Sequence, residues 1–575
     1  MLFVRGGSML FFGRVLLALL LWTGLSVAAP AQASVEPGTP PLDAGQAWYP
    51  RVIRLQHADT THNGRVLATT NTGAGGTIHE STDDGRTFRR ISEIPTGPAA
   101  GEFSCCSALF EFPRRLGSSP AGTLIWAASI NTLGGGEDQP NPTARIVAWT
   151  SADHGYTWAP IGGPIVTGST GHGLWEPEFS EAAGQLVMHF SDKTQQPRYG
   201  QTLARVRSAD GGLTWSAKVN TVAGEADAAD SPGMPVVRRL PNGGYVMVYE
   251  YCELRPVTNG HGCRVYLRTS SDGWNWGDPA NPGTIIRTAD GKHLAHAPTV
   301  AWAPGGGPGG RLMVIAKLVR TGGDRGAATV LPESGRTILV NTAGGVGAWY
   351  EIDAPVKVGV DLDPPNANLY LPCQNYSPPL LPSADGTRVL EIATDVADGT
   401  CKAYVATGSS LGTGDATGVS ASAVYRAINL ASRRCLDADA GAVTNGTRIQ
   451  QWTCGGALAQ EWRPTRRATG VFSFVNPKSG KCLDVPNGNI SVDPGDKAHL
   501  WTCNGTGAQD WLPVAAGRSV YVIKPRNNQA LCLDVADGST ADGAEARVNP
   551  CTNAGSQLWH LDARPVAGRD PGLQR

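Results

Sequence analysis

Ser81-Thr82-Asp83-Asp84-Gly85-Arg86-Thr87-Phe88 returns as Ser151-Ala152-Asp153-His154-Gly155-Tyr156-Thr157-Trp158 and again as Ser208-Ala209-Asp210-Gly211-Gly212-Leu213-Thr214-Trp215. A shortened copy, Ser270-Ser271-Asp272-Gly273-Trp274-Asn275-Trp276, follows. The copies start 57 to 70 residues apart, room for a four-stranded antiparallel sheet and its loops. Each residue type has a local reason: Ser and Asp side chains bind turn backbone, glycine tolerates positive φ, and the closing aromatic packs beside its own turn. Between the copies lie short runs such as Arg51-Val52-Ile53-Arg54-Leu55, Gln185-Leu186-Val187-Met188-His189-Phe190 and Tyr245-Val246-Met247-Val248-Tyr249-Glu250. These are strand-length and rich in β-branched and aromatic types. No segment holds a 3.6-residue apolar period, so the class is all-β.

Working outward, a second repeat occupies the C-terminal part with a period near 48 residues. Its units are Cys435-Leu436-Asp437, Cys454 and Gln460-Glu461-Trp462; Cys482-Leu483-Asp484, Cys503 and Gln509-Asp510-Trp511; and Cys532-Leu533-Asp534, Cys551 and Gln557-Leu558-Trp559. Between the repeats, residues 407–422 are rich in Gly, Ser and Thr and read as a flexible linker. The chain therefore divides into a signal peptide at 1–33, a lead-in at 34–46, a first domain at 47–406, the linker, a second domain at 423–562 and a tail at 563–575. The signal reading rests on Arg5 and Arg14, the apolar run around Leu16-Leu17-Ala18-Leu19-Leu20-Leu21, and the small-x-small site Ala31-Gln32-Ala33. It implies an extracellular protein with no membrane attachment after cleavage. Twelve cysteines, none in a Cys-x-x-Cys pair, then point to disulfides rather than metal thiolates. A net charge of −1 with no basic block argues against a nucleic-acid surface.

Hydrolysis of a glycoside usually needs two carboxyl groups facing one bond. Acids in apolar strand settings are the candidates, because desolvation raises a carboxyl pKa. Two places qualify. In Trp175-Glu176-Pro177-Glu178-Phe179, the strand period of two predicts Glu176 and Glu178 on one face. Glu250 ends an otherwise apolar run. Both also admit a plain reading, an ion pair with Arg or a carboxylate reaching solvent at a strand end. His57, His62, His172 and His296 are scattered and show no metal-ligand spacing, so no metal or cofactor is expected.

The first repeat resembles the Asp-box of sialidase-type propellers, which implies a six-bladed β-propeller with the boxes away from the active site. Tyr49-Pro50-Arg51-Val52, Cys105-Cys106-Ser107, Trp175-Glu176-Pro177, Phe190-Ser191-Asp192, Pro232-Gly233-Met234-Pro235, Tyr249-Glu250-Tyr251 and Ala297-Pro298-Thr299 together look like glycoside hydrolase family 93. That resemblance implies a retaining exo-arabinanase releasing arabinobiose from linear α-1,5-L-arabinan. It would make Glu176 the acid/base, with Glu178 its competitor, and Glu250 the nucleophile. Arg51 would orient a carboxyl or a sugar hydroxyl, and Tyr376 would reach the pocket from the last blade. Cys252–Cys263 and Cys373–Cys401 are the expected pairs in this part; Cys105 and Cys106 stay unassigned. An exo-sialidase on the same fold and a non-catalytic glycan binder are the competing readings.

The second repeat is similar to the ricin-B-type β-trefoil lectins. The resemblance implies the disulfides Cys435–Cys454, Cys482–Cys503 and Cys532–Cys551, with each Gln-x-Trp structural. It places sugar contacts at Asp437 with Trp452, Asp484 with Trp501, and Asp534. The third lobe has Asn549-Pro550 where the aromatic would stand, and Ala459, Ala508 and Ser556 replace the Asn often found before the Gln. The expected partner is a plant cell-wall polysaccharide, and the expected state a monomer.

Overall fold

The structure, a computed structural model, describes residues 41–564 apart from 133–143, 169–172, 225–229, 254–261, 289–290, 306–308, 323–327, 348, 359–372, 411–418, 420–422, 469, 488–490 and 518. The expected signal peptide, most of the lead-in, nearly all of the tail and His172 lie outside the described residues. No helix among the described residues is long and apolar enough to cross a membrane.

The first part is built from successive antiparallel sheets whose strands follow chain order, except that Leu318–Gly322 and Ala328–Val330, inserted between strands of sheet 5, pair with sheet 4. Sheet 1 is Trp48–Arg54, Val66–Asn71, Gly75–Ser81 and Arg89–Pro95. Sheet 2 starts at Glu102–Glu111, sheet 3 at Leu174–Ala182, sheet 4 at Asp230–Arg239, sheet 5 at Thr299–Ala303 and sheet 6 at Leu380–Pro382. These first strands touch one another in chain order, and that of sheet 6 touches that of sheet 1, so the sheets form a propeller around a hub.

The wedges between sheets are apolar because alternate strand residues face the neighbouring sheet. Leu67, Ile78, Leu124 and Trp126 join sheets 1 and 2, and Leu186, Met188, Ile125 and Ala127 join sheets 2 and 3. The ring closes at the chain start: Leu42 N–H donates to Ala403 O, Ala47 N–H to Cys401 O, and Leu42 packs with Val52, Val66, Leu390 and Ile392. The Asp-boxes join third to fourth strands. In the second box, Ser151 Oγ donates to Asp153 Oδ1 (2.8 Å), Asp153 accepts from Thr157 N–H (2.9 Å) and Thr157 Oγ1 (2.6 Å), and Trp158 Nε1 donates to Gly155 O (3.1 Å).

The second part shares one core around Trp462, Trp511 and Trp559. Each indole N–H donates to the Leu carbonyl of its own Cys-Leu-Asp, Leu436, Leu483 or Leu533, at 3.0 Å. Each Gln pins backbone, Gln460 Nε2 to Thr453 O, Gln509 Nε2 to Thr502 O and Gln557 Nε2 to Pro550 O. The stretch read as a linker is partly structured. The strand Thr400–Ser409 runs three residues into it, Ser410 is buried, and Val419 joins the core of the second part. Composition misleads here because Gly, Ser and Thr also suit a strand end and a tight entry.

Candidate active site

Five of the six first strands enter the hub on an X-Pro pair: Tyr49-Pro50, Glu176-Pro177, Met234-Pro235, Ala297-Pro298 and Ser377-Pro378, the last two just ahead of their strands; sheet 2 has Cys106-Ser107. The leading residue of every pair has positive φ: Tyr49 47°, Cys106 64°, Glu176 50°, Met234 57°, Ala297 52° and Ser377 55°. In sheets 1 to 4 the register to the next strand slips across this point. These are bulges, where proline's missing N–H costs no ladder bond. A left-handed conformation at a non-glycine residue is strained, and such strain collects at functional sites. The bulges bring Tyr49, Cys105, Cys106, Met234 and Ala297 into one buried cluster, with Trp48, Phe103, Trp175 and Tyr376 packed against it.

Glu250 and Glu176 meet at this hub. Glu250 Oε2 accepts from the Ala297 N–H and faces His296 Nδ1, each at 2.7 Å. Its Oε1 faces Gly233, where a Cβ would sit 3.5 Å from that oxygen and 2.6 Å from Gln201 Nε2. The Ser191 hydroxyl and the Met234 N–H lie against Glu176 and favour its charged form, and the Met234 N–H donates to Ser191 Oγ at 3.0 Å. Burial pushes its carboxyl up to about 7, and the negative charge of Glu250 pushes the same way. Two amines, the half-buried Lys193 and the buried Lys317, complete the charge balance. Burial lowers both Lys193 and Lys317, the latter to about 8, against the opposing pull of the carboxylates. Lys317 Nζ lies 5.6 Å from the Tyr376 ring centroid.

Glu178 has different partners from Glu176. It pairs with Arg51 Nε (3.5 Å) and with Arg238 Nη1. The expectation that both acids share one face by strand period fails, because the bulge between Trp175 and Glu178 inserts a left-handed residue and breaks the alternation. Arg51 is buried and also donates to Tyr49 Oη (2.9 Å) and Ser377 Oγ (3.1 Å). Tyr376 is in the hub, 5.6 Å from the His296 ring and 6.3 Å from the Tyr49 ring. His296, read from sequence as an ordinary polar residue, thus contacts Glu250. Ser191, Lys193, Met234 and Lys317 were also missed as hub residues. The X-Pro pair recurring at the entry of five of the six sheets is the signal that could have found the hub.

All five expected disulfides are present, and Cys105 pairs with Cys106. In the second part, Asp437 accepts from Gln450 Nε2 (3.2 Å), Asp484 from Gln509 Nε2 (2.8 Å) and Asp534 from Asn549 Nδ2 (2.9 Å). His499 Nε2 also lies 3.0 Å from Asp484 Oδ1. Trp452 and Trp501 pair with Cys435 and Cys482, two residues ahead of Asp437 and Asp484 on their strands, and are 46% and 40% exposed. Large aromatics left open to this extent are free to stack on a flat apolar ligand face.

Residues 423–559 match the family model described as the ricin-type beta-trefoil lectin domain. No curated protein matches the chain. Among solved structures, an α-L-arabinanase of Penicillium chrysogenum complexed with arabinobiose is 25% identical, with a TM-score of 0.51, over 66% of this chain and 97% of its own. An α-L-arabinofuranosidase of Fusarium graminearum in complex with an iminosugar inhibitor is 22% identical, with a TM-score of 0.50, over 64% and 96% respectively. The chain thus carries a ricin-type β-trefoil lectin domain behind a propeller whose structural neighbours include a glycoside hydrolase, the arabinanase.

Proposed function

We propose that the protein is a secreted, retaining exo-glycosidase of arabinan on a six-bladed propeller, held to its polymer by the lectin domain. The observation that carries the reading is the pairing of Glu176, a carboxyl held protonated to about pH 7, with Glu250, a carboxylate fixed by the Ala297 N–H and lying against His296. Glu176 donates its proton to the glycosidic oxygen as the bond to the anomeric carbon breaks. Glu250 attacks that carbon and forms a glycosyl ester. Glu176, now ionised, takes a proton from water, which cleaves the ester and restores both groups. Glu178 is the less suited acid, because its two oxygens are engaged by Arg51 and Arg238 rather than facing Glu250. The likeness to an arabinanase complexed with arabinobiose supports arabinan as the polymer. The lectin domain raises the local substrate concentration by tethering.

The test is product analysis on debranched arabinan, with arabinogalactan, xylan and a fluorogenic sialoside as controls. Arabinobiose is the expected product, and Glu250→Gln abolishes its release. Release from the sialoside alone, or from none of the four, overturns the reading.

A further inference from the structure

We propose a divalent transition-metal site formed by Asp59, His62 and His154, clamping sheet 1 to sheet 2 on the face opposite the carboxylates. His62 Nδ1 lies 2.8 Å from Asp59 Oδ1, and His154 Nε2 lies 3.0 Å from Asp59 Oδ2. The two imidazoles stack with centroids 4.0 Å apart. One ligand atom from each residue falls within 4.8 Å of the others, the convergence a first-row ion needs. Asp59 and His62 share a local turn, in which the His62 and Asn63 N–H groups both donate to Asp59 O, so their side chains rise on one side. His154 comes from the second Asp-box, about 90 positions along the chain.

The Asp-box itself does not require histidine there. The same position is Asp84 in the first box and Gly211 in the third, all three at positive φ. Asp84 uses it as a clamp: it pairs with Arg54 of its own sheet and with Arg388 of sheet 6, the preceding sheet around the ring. His154 makes the equivalent backward reach, to Asp59 and His62 of sheet 1. The second box is already seated on that sheet, with Tyr156 Oη donating to Glu80 (3.0 Å) and Trp158 Nε1 donating to Ser92 Oγ (3.1 Å). Topology sets the face. Trp48–Arg54 runs from the hub residue Tyr49 outward, so the loop holding Asp59 and His62 lies at the far end from Glu176 and Glu250, as do the Asp-box turns. Two imidazoles and a carboxylate select Zn²⁺, Ni²⁺ or Cu²⁺ over Mg²⁺ or Ca²⁺. His154 Nδ1 is buried without a hydrogen-bond partner among the described residues, so the outer hydrogen bond that strengthens most histidine ligands is not seen, and micromolar affinity is expected.

The experiment uses the full-length protein, stripped with EDTA and titrated with Zn²⁺ by calorimetry and by thermal melting. One saturable site per chain is expected, with a rise of a few degrees in melting temperature at about 100-fold excess over Kd. His154→Asn, which keeps a residue suited to positive φ, and His62→Ala should each weaken binding at least tenfold while arabinan hydrolysis without zinc stays unchanged. Absence of saturable binding by Zn²⁺, Ni²⁺ and Cu²⁺, or wild-type affinity in the doubly substituted protein, overturns the proposal.

Discussion

At the scale of single residues, two carboxyls control how the molecule responds to pH. Glu176 must hold a proton to act as the acid, and the Ser191 hydroxyl stabilises its anion. Removing that donor in Ser191→Ala raises the Glu176 pKa further. The alkaline limb of the kcat/KM profile, expected near pH 7 in the wild type, should therefore move to higher pH. A limb that stays in place would assign the titration to another group. Glu391 is fully buried in the strand Arg388–Ala397, accepts among the described residues only the Val356 N–H at Oε2, and is pushed up to about 8 by burial. A carboxyl that holds its proton more tightly folded than unfolded stabilises the fold below its unfolded pKa near 4.5. That stability is lost as pH rises toward 8. Glu391→Gln removes the titration, so its melting temperature relative to wild type should climb between pH 5 and 8. Parallel curves would contradict this. Chain order alone marked Glu176 and Glu250, because a carboxyl in an apolar strand is costly without a purpose. It could not distinguish Glu176 from Glu178. That distinction depends on a left-handed bulge, and a two-residue period has no way to encode one.

At the scale of elements, legibility follows how local the physics is. The Asp-boxes and the Cys-Leu-Asp and Gln-x-Trp units were readable because their bonds close within a few residues or within one lobe, as Thr157 to Asp153 and Trp511 to Leu483 do. The hub was less readable. Its members come from six strands, and only the X-Pro pairs announce them. His62 with His154 was invisible for the same reason, since spacing along the chain says nothing of neighbours around a ring. The three trefoil lobes show the converse, with one local plan and unequal surfaces. Lobes one and two each pair a buried Asp with an exposed Trp, whereas in lobe three the side chain beside Asp534 is Asn549. An apolar sugar face stacked on an indole loses that contact area when the ring is removed. Trp452→Ala and Trp501→Ala should each weaken retention on an arabinan affinity gel, and together abolish it. Asn549→Ala should leave retention within twofold. Equal losses from all three would show that the third lobe binds as well.

At the scale of the whole molecule, the two domains share a core rather than a tether. Ile338, Val340, Tyr350 and Ile352 of sheet 5 pack in one buried cluster with Leu430, Val520, Val522 and Leu558 of the trefoil. Backbone approaches seal the contact. Arg433 Nη2 donates to Gly347 O at 3.0 Å, and Gly517 sits so close to sheet 5 that a Cβ would lie 2.6 Å from both Glu351 O and Tyr350 Cδ2. An apolar interface of this kind fixes the direction in which the lectin surface faces relative to the hub, where a mobile linker would leave it free. It also couples the stabilities, since neither domain can unfold without exposing the shared cluster. Gly517→Leu cannot be accommodated without separating the Gly517–Val520 turn from sheet 5, because the atoms it meets are a carbonyl and the ring edge of a buried tyrosine. Gly517 itself belongs to neither the Trp-centred trefoil core nor the hub cluster, so each domain should stay folded in the variant. Calorimetry should then show the wild type melting in one transition and Gly517→Leu in two, the earlier one lowered by several degrees. Hydrolysis of a soluble oligosaccharide should persist while activity on insoluble arabinan falls, because the enzyme would still be tethered but no longer aimed. A single unshifted transition in the variant would mean that the domains are independent despite their contact.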